Sequence, residues 1–122
     1  MGVVYHANYL IWCELGRTDF IRMLGKPYSE FERDGVRLAV SDVTMRFKGS
    51  AKYDDPIRVH TTITEVRSRA VTFAYRIEQP DRGEILVTAA TSLIALDVNA
   101  RPITMPVELR KMLASAIADT ES

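Results

Sequence analysis

The sequence predicts an α+β domain in which one long helix precedes an antiparallel sheet. Three observations predict this class: an apolar stripe at helical spacing near the N-terminus, four alternating runs further along, and turn residues between those runs. The 122 residues fit one domain, and we expect residues 1–122 to form it. With 47% apolar and 26% charged residues, the composition is that of a globular chain rather than a disordered one.

Charge and cysteine content exclude several classes of function. There are 16 Lys and Arg against 16 Asp and Glu, so the balanced charge argues against a nucleic-acid module and a polybasic membrane binder. Cys13 is the only cysteine, so we expect no internal disulfide and a reducing, cytoplasmic location. No apolar run reaches the roughly 18 residues of a membrane span. The two His and one Cys have no metal-ligand spacing, so we expect no metal.

Residues Asn8 to Leu24 have the pattern of an amphipathic helix. Its apolar positions share one side of a helical wheel: Tyr9, Trp12, Cys13, Gly16, Phe20, Met23 and Leu24. Asn8 suits the N-cap, and Gly25 suits the position after the last turn. Within the stripe, Gly16 costs about 1 kcal/mol relative to alanine, so we expect a sheet to approach closely there. A second, short helix is predicted over Tyr28 to Arg33.

Four alternating runs predict strands. They are Val36 to Phe47, Ile57 to Thr64, Val71 to Ile77 and Ile85 to Leu96. The apolar phase of the first run shifts near Ser41 and Asp42, which predicts a β-bulge. Short turns before the third and fourth runs favour hairpins, so the expected sheet is an antiparallel meander. A closing helix is predicted over Pro106 to Ala118.

The segment Gly2 to Tyr9 brings a His and two Tyr to the N-terminal end of the long helix. Free backbone N–H groups and the positive end of the helix dipole lie there, and both stabilise the oxyanion of a thioester or ester carbonyl. In that setting His6 can orient a water or the carbonyl. The alternative is that His6 only caps the helix while Tyr5 and Tyr9 join the core, and spacing alone favours this alternative.

The same segment, GVVYHANYL, is followed by Trp12, Glu14 and Arg17. Together they resemble the opening of the 4-hydroxybenzoyl-CoA thioesterase branch of the hotdog-fold acyl-CoA thioesterases, which includes the thioesterase associated with the Tol–Pal system. Three later segments are also similar: Gly35-Val36, Tyr53 to Pro56 and Glu65 to Arg69. The resemblance implies a long central helix wrapped by an antiparallel sheet. It also implies hydrolysis of acyl-CoA thioesters in homodimers or dimers of dimers, with sites at the subunit interface and no cofactor, because coenzyme A is part of the substrate.

The resemblance implies roles for residues near the helix start. The backbone N–H of His6 would donate to the thioester oxygen, with the imidazole beside the thioester. Tyr5 and Asn8 would shape the mouth of the site. Trp12 would line the acyl pocket.

A second group is implied at the turn between the second and third strands. Arg67 and Arg69 would meet the phosphates of coenzyme A, with Ser68 between them. Two Arg on a hairpin turn have the chemistry for charge-assisted hydrogen bonds to phosphate. Solvated turn charges are an equally weighted alternative.

One feature of the family falls outside this sequence. Its members have a first strand and then a catalytic Asp before the Val-Tyr-His segment, whereas this sequence begins at Met1 inside that segment. That Asp acts either as a nucleophile or as a general base for water. Either the true start lies upstream and the protein is an ordinary thioesterase, or this chain is a weakened relative. For the chain itself we expect greatly reduced hydrolysis. Glu14 is a candidate substitute carboxylate, with an ion pair to Arg17 as the favoured alternative, and Asp42 at the predicted bulge is another candidate.

Two other classes of function stay open at this point. A non-catalytic acyl-CoA-binding or interaction module would keep the dimer and lose the chemistry. An α+β roll enzyme, such as an isomerase with an Asp/Tyr pair, would enclose its cavity within a single subunit.

Overall fold

The computed structural model describes residues 6–23, 28–49 and 56–120. In chain order the elements are α1 (His6–Met23), α2 (Tyr28–Arg33), β1 (Arg37–Phe47), β2 (Arg58–Val66), β3 (Ala70–Gln79), β4 (Glu84–Leu96) and α3 (Val107–Thr120). Every predicted helix and strand is therefore confirmed, and no boundary moves by more than two residues.

The four strands form one antiparallel sheet in the order β1-β4-β3-β2. β2, β3 and β4 form the two predicted hairpins. The predicted meander is wrong for β1, because this strand pairs with β4, with Phe47 opposite Val87, and not with β2. Among the described residues, β1 and β2 are therefore the two edges of the sheet. The predicted bulge is confirmed by a register shift between Val40 and Asp42.

α1 packs on one face of the sheet and buries Tyr9 and Ile21. The Tyr9 ring stands edge-on to Phe47 of β1, with 5.5 Å between ring centroids. Further along the helix, Phe20 stands edge-on to Phe73 of β3 at 6.1 Å. The helix therefore starts at the Phe47 end of the sheet and runs towards the other end.

Two positions test the predicted apolar stripe. The close approach at Gly16 is confirmed, because a Cβ added there would lie 2.5 Å from Thr61 Oγ1 of β2. Burial of Met23 is wrong, since its side chain is 85% exposed while Ile21 is only 3% exposed. Met23 is the last residue of α1 and lies on the wall of a cleft between this helix and β2. Leu24 lies outside the described residues.

The core lies between the sheet and its helices. β3 alternates between buried and more exposed positions, with Phe73, Tyr75 and Ile77 facing inwards. α3 packs against β2 and buries Leu109 and Leu113 in the same core. Across the described ranges, no helix is long and apolar enough to cross a membrane.

Candidate functional site

α1 begins at His6, so the backbone N–H groups of its first turn are not used by the helix's own hydrogen bonds. That first turn carries no acidic residue to offset the positive end of the helix dipole. Tyr5 and the side chains of His6 and Asn8 lie outside what the structure describes, so their assigned roles stay predictions. The backbone itself supplies an anion-attracting helix end.

Tyr9 fixes where this helix end lies. Its ring packs edge-on against Phe47 and against Trp12, the latter with 5.2 Å between ring centroids. Phe47 ends β1, an edge strand, so the helix start lies at a corner of the sheet. Phe47, Val40 and Val43 of this strand are 44%, 46% and 45% exposed. An edge strand that leaves three large apolar side chains open is typical of a strand that pairs with another chain.

Trp12 lies on a cleft between α1 and β2. The cleft has a volume of about 350 Å³ and is lined mostly by apolar side chains: Trp12, Leu15, Gly16, Asp19, Phe20, Met23, Val59 and Thr61. Thr61 Oγ1 is buried here without a hydrogen-bond partner. The cleft gives the predicted acyl-lining role of Trp12 a physical setting, and the role itself stays a prediction.

Arg17 makes a polar contact with the inner face of the sheet. Its Nη1 donates to the Tyr75 hydroxyl at 3.1 Å, and that hydroxyl lies 2.8 Å from Thr91 Oγ1. Burial raises the pKa of the Tyr75 hydroxyl, which therefore stays neutral. Burial also raises the pKa of the Cys13 thiol to about 11. Cys13 is therefore protonated near neutral pH and is a poor nucleophile.

Glu14 is exposed, as its position on the helical wheel predicts. The expected ion pair between Glu14 and Arg17 is wrong, because the described side chain of Arg17 turns to Tyr75 instead. Glu14 lies on the wall of a small cavity together with Arg17 and Thr18, so its carboxylate is accessible. Asp42, the other candidate carboxylate, is exposed at the bulge of β1. A catalytic role for either stays a prediction.

Arg67, Ser68 and Arg69 form the exposed turn between β2 and β3. Arg67 Nε donates to the Glu65 carboxylate, and the Ser68 carbonyl accepts from the Met105 N–H at 2.8 Å. β2 has nine residues, so its two ends are roughly 30 Å apart. The turn lies at the far end of the sheet from the start of α1. Within one chain, therefore, the predicted phosphate-binding turn and the helix start are not brought together.

Sequence reasoning missed two polar clusters. On the face of the sheet opposite α1, Glu78 lies 2.9 Å from His60, 3.8 Å from Arg58 and 3.6 Å from Arg76. The hydrogen bond to His60 is the largest cause that lowers the pKa of Glu78. The second cluster is the contact of Arg17 with the sheet. The sequence feature that indicates this contact is the presence of hydroxyl side chains at inward positions of β3 and β4.

The class of protein follows from the architecture. A long helix against a four-stranded antiparallel sheet in this order is the hotdog fold, and solved structures agree. The hypothetical protein TT1821 from Thermus thermophilus superposes with a TM-score of 0.87 at 31% identity, covering 95% of this chain and 88% of that one. The DHNA-CoA thioesterase from Staphylococcus aureus gives a TM-score of 0.89 at 28% identity, covering 99% and 83%. The predicted hotdog fold is confirmed.

Sequence comparison then identifies the family. The thioesterase-like superfamily matches residues 1–117, and the chain belongs to it. The protein YneP of Bacillus subtilis is 38% identical over 91% of this chain and 78% of its own length. The acyl-CoA thioesterase YbgC of Haemophilus influenzae is 30% identical over 89% of this chain and 80% of its own length. The predicted thioesterase class is confirmed.

Proposed function

We propose that the chain hydrolyses acyl-CoA thioesters, with the thioester carbonyl bound at the start of α1. The observation that carries the proposal is this helix end, which lies at a corner of the sheet and has no acidic residue in its first turn. Its free N–H groups and dipole stabilise negative charge that develops on a carbonyl oxygen. The relatedness to YbgC of Haemophilus influenzae, which is named an acyl-CoA thioesterase, supports coenzyme A as the thiol part of the substrate.

The reaction needs one water and one carboxylate. The carboxylate accepts a proton as the water oxygen attacks the thioester carbon, and the backbone N–H of His6 donates to the oxyanion. Collapse of the tetrahedral intermediate breaks the C–S bond, and the proton passes to the departing thiolate. Glu14 and Asp42 are the candidate carboxylates within the described part of the chain, and family resemblance implies an Asp ahead of the Val-Tyr-His segment. Glu14 lies about 12 Å along α1 from His6, so it would act on a carbonyl bound by the partner copy. Tyr5 and Asn8 shape the entrance.

The acyl and coenzyme A portions extend in different directions from the thioester. Trp12 and the apolar cleft beside it receive the acyl group. The turn of Arg67, Ser68 and Arg69 binds phosphate by charge-assisted hydrogen bonds. Because this turn is at the far end of the sheet, a second copy supplies it. Antiparallel pairing of two β1 edges reverses one sheet relative to the other, which moves the far end of one copy towards the helix start of its partner.

We therefore propose a homodimer, alone or within a dimer of dimers, in which the exposed apolar side chains of β1 are covered. The branch of the family is proposed to be the 4-hydroxybenzoyl-CoA type that includes the Tol–Pal-associated thioesterase. Its location is proposed to be cytoplasmic, and the reaction is proposed to need no cofactor.

Release of free coenzyme A from acetyl-, palmitoyl- and benzoyl-CoA, followed with a thiol reagent, tests the proposal. Two proteins are compared: the 122-residue chain and a version with a preceding segment that supplies a strand and an Asp. Hydrolysis by either supports the proposal. If both are inert with all three substrates but bind them, the chain is the non-catalytic acyl-CoA-binding module considered above.

Two pairs of variants test the individual roles. Glu14→Gln is expected to lower kcat strongly in the 122-residue chain, whereas Glu32→Gln, an exposed acid on α2, is expected to leave it unchanged. Replacing both Arg67 and Arg69 with Glu is expected to raise KM, and the effect is expected to shrink at high salt because exposed charges are screened. An unchanged KM at low salt would show that this turn does not bind the substrate.

A further inference from the structure

The outer face of the sheet, on the side opposite α1, carries a row of basic side chains. Strand register places Arg46 of β1 and Arg76 of β3 on either side of Thr88 of β4. His60 of β2 lies directly opposite Arg76 and extends the row. Directly opposed residues share a face, and side chains alternate along a strand. The row therefore points away from α1, because the next residue of β3, Ile77, is fully buried in the core.

Glu78 organises the basic groups on the β2–β3 side of this row. Its side chain is 18% exposed, and its Oε1 atom lies 2.9 Å from His60 Nε2 and 3.8 Å from Arg58 Nη1. Its Oε2 atom lies 3.6 Å from Arg76 Nε. One carboxylate does not neutralise two guanidinium groups, and each guanidinium has five N–H donors. Glu78 therefore holds Arg58 and Arg76 in place while donors of both are left over.

Arg46 lies on the other side of Thr88 and has no acid beside it. It is exposed, and among the residues that the structure describes it has no carboxylate within ion-pair distance. Arg46 and Arg76 lie two strands apart, which is about 10 Å between Cα atoms, so both side chains reach a group bound above Thr88. Three Arg and one Glu leave this part of the face with a net charge of +2 when the imidazole is neutral.

A groove beside Arg46 gives this row room for a ligand. Its volume is about 430 Å³, and β1 and β4 supply its lining: Thr44, Met45, Arg46, Thr88, Ala89 and Ala90. The outward side chains next to Arg46 are short, and the Thr88 hydroxyl is one further donor. Small-molecule sites have volumes of about 300–1,000 Å³, so the groove is large enough for a phosphate with part of the molecule that carries it.

We propose that this outer-face site, formed by Arg46, Thr88 and Arg76, binds a phosphate monoester. A phosphate monoester carries a charge of about −1.5 to −2 at neutral pH, which balances the net charge of the site. Its oxygens accept charge-assisted hydrogen bonds, and guanidinium groups match them in a two-bond geometry. The Thr88 hydroxyl donates to the same phosphate from the floor of the groove.

Two sources carry this chemistry. One is the 3′-phosphate of coenzyme A, because Arg46 directly precedes Phe47 and the site therefore lies at the end of the sheet where α1 begins. The other is a separate phosphorylated metabolite that binds without coenzyme A. The site is independent of hydrolysis, and it is distinct from the turn of Arg67 and Arg69, which lies at the far end of the sheet.

Calorimetric titration at low ionic strength tests the inference with four probes: inorganic phosphate, 3′-AMP, dephospho-CoA and coenzyme A. The unmodified chain is expected to bind inorganic phosphate and 3′-AMP, with an affinity that falls at high salt because the site is exposed. Arg46→Gln and Arg76→Gln are each expected to weaken both about fivefold or more, as the loss of a hydrogen bond between charged groups does. Arg110→Gln removes an exposed charge of α3 and is expected to change neither.

The two coenzyme A probes identify the source of the phosphate. Tighter binding of coenzyme A than of dephospho-CoA, with this preference reduced in Arg46→Gln, supports the 3′-phosphate as the ligand. Equal binding of these two probes, together with binding of 3′-AMP that depends on Arg46, supports a separate metabolite.

The inference is overturned if neither inorganic phosphate nor 3′-AMP binds, or if Arg46→Gln and Arg76→Gln both bind them as the unmodified chain does. Circular dichroism and thermal unfolding check the fold of each variant. Hydrolysis of acyl-CoA without phosphate binding refutes this inference alone. Phosphate binding by a chain that hydrolyses no acyl-CoA refutes the proposed function alone.

Discussion

Replacing Gly16 with alanine is expected to destabilise the protein, although the same change in an open helix stabilises it. Alanine gains about 1 kcal/mol over glycine in a helix interior. Here the new Cβ would lie 2.5 Å from Thr61 Oγ1 and 3.1 Å from Val59 Cγ1. Overpacking of this kind costs about 1–3 kcal/mol, because α1 and β2 must move apart. The net expectation is a loss of about 1 kcal/mol in the free energy of unfolding.

Urea and thermal unfolding followed by circular dichroism measure this loss, with a Tm decrease of about 4 °C for a domain of this size. The matched background is Thr61→Ala, which removes the nearer of the two atoms that the new Cβ would meet. The Thr61 hydroxyl has no hydrogen-bond partner, so its removal breaks no bond. In that background Gly16→Ala is expected to cost less than in the unmodified protein, because only the contact with Val59 Cγ1 at 3.1 Å remains tight. If Gly16→Ala alone raises stability, α1 and β2 do not approach each other as closely as these distances require.

Three further predictions concern buried and paired groups. Tyr75→Phe leaves Thr91 Oγ1 buried and unpaired, so urea unfolding is expected to show a loss of about 1–3 kcal/mol, and a change below about 0.5 kcal/mol would contradict the role of the hydroxyl. The hydrogen bond from His60 lowers the pKa of Glu78 in the folded protein. The ionised Glu78 therefore stabilises the fold at pH values above its unfolded-state pKa, and this stabilisation is lost as the pH falls through its folded-state pKa. Tm measured from pH 3 to 7 is therefore expected to vary less steeply on the acid side in Glu78→Gln, and an unchanged slope would refute the contribution. Cys13 is 1% exposed, and burial raises the pKa of its thiol to about 11. It is therefore expected to resist a thiol reagent at pH 8 until urea is added. Labelling of the native protein at the rate of a free thiol would show that the core opens.

The elements were predictable because their signals are local. Helical spacing from Tyr9 onwards predicted α1, alternation predicted the strands, and the phase change near Ser41 predicted the bulge. Gly16 predicted a close approach because glycine inside a helix is otherwise a cost. The helix-start segment also pointed to a thioesterase-like hotdog protein, which the family match confirms.

The arrangement of these elements depended on contacts between distant parts of the chain. Pairing of β1 with β4 rather than β2 follows from packing of the whole sheet, and the turn residues do not predict it. The same limit explains why Met23 is exposed, because helical spacing shows which side is apolar and not which positions on that side another element covers. It also explains why the expected ion pair of Arg17 with Glu14 gave way to Tyr75, fifty-eight positions away along the chain.

The sequence by itself thus determined which segments are helix and strand, the class of the protein and the end of α1 that attracts negative charge. Tertiary structure alone decided that the Arg67 turn lies far from that helix end and that Arg17 faces a small cavity. The physical reason is that backbone hydrogen bonding and hydrophobic periodicity act over a few residues, whereas the placement of a side chain relative to a site is set by packing across the sheet.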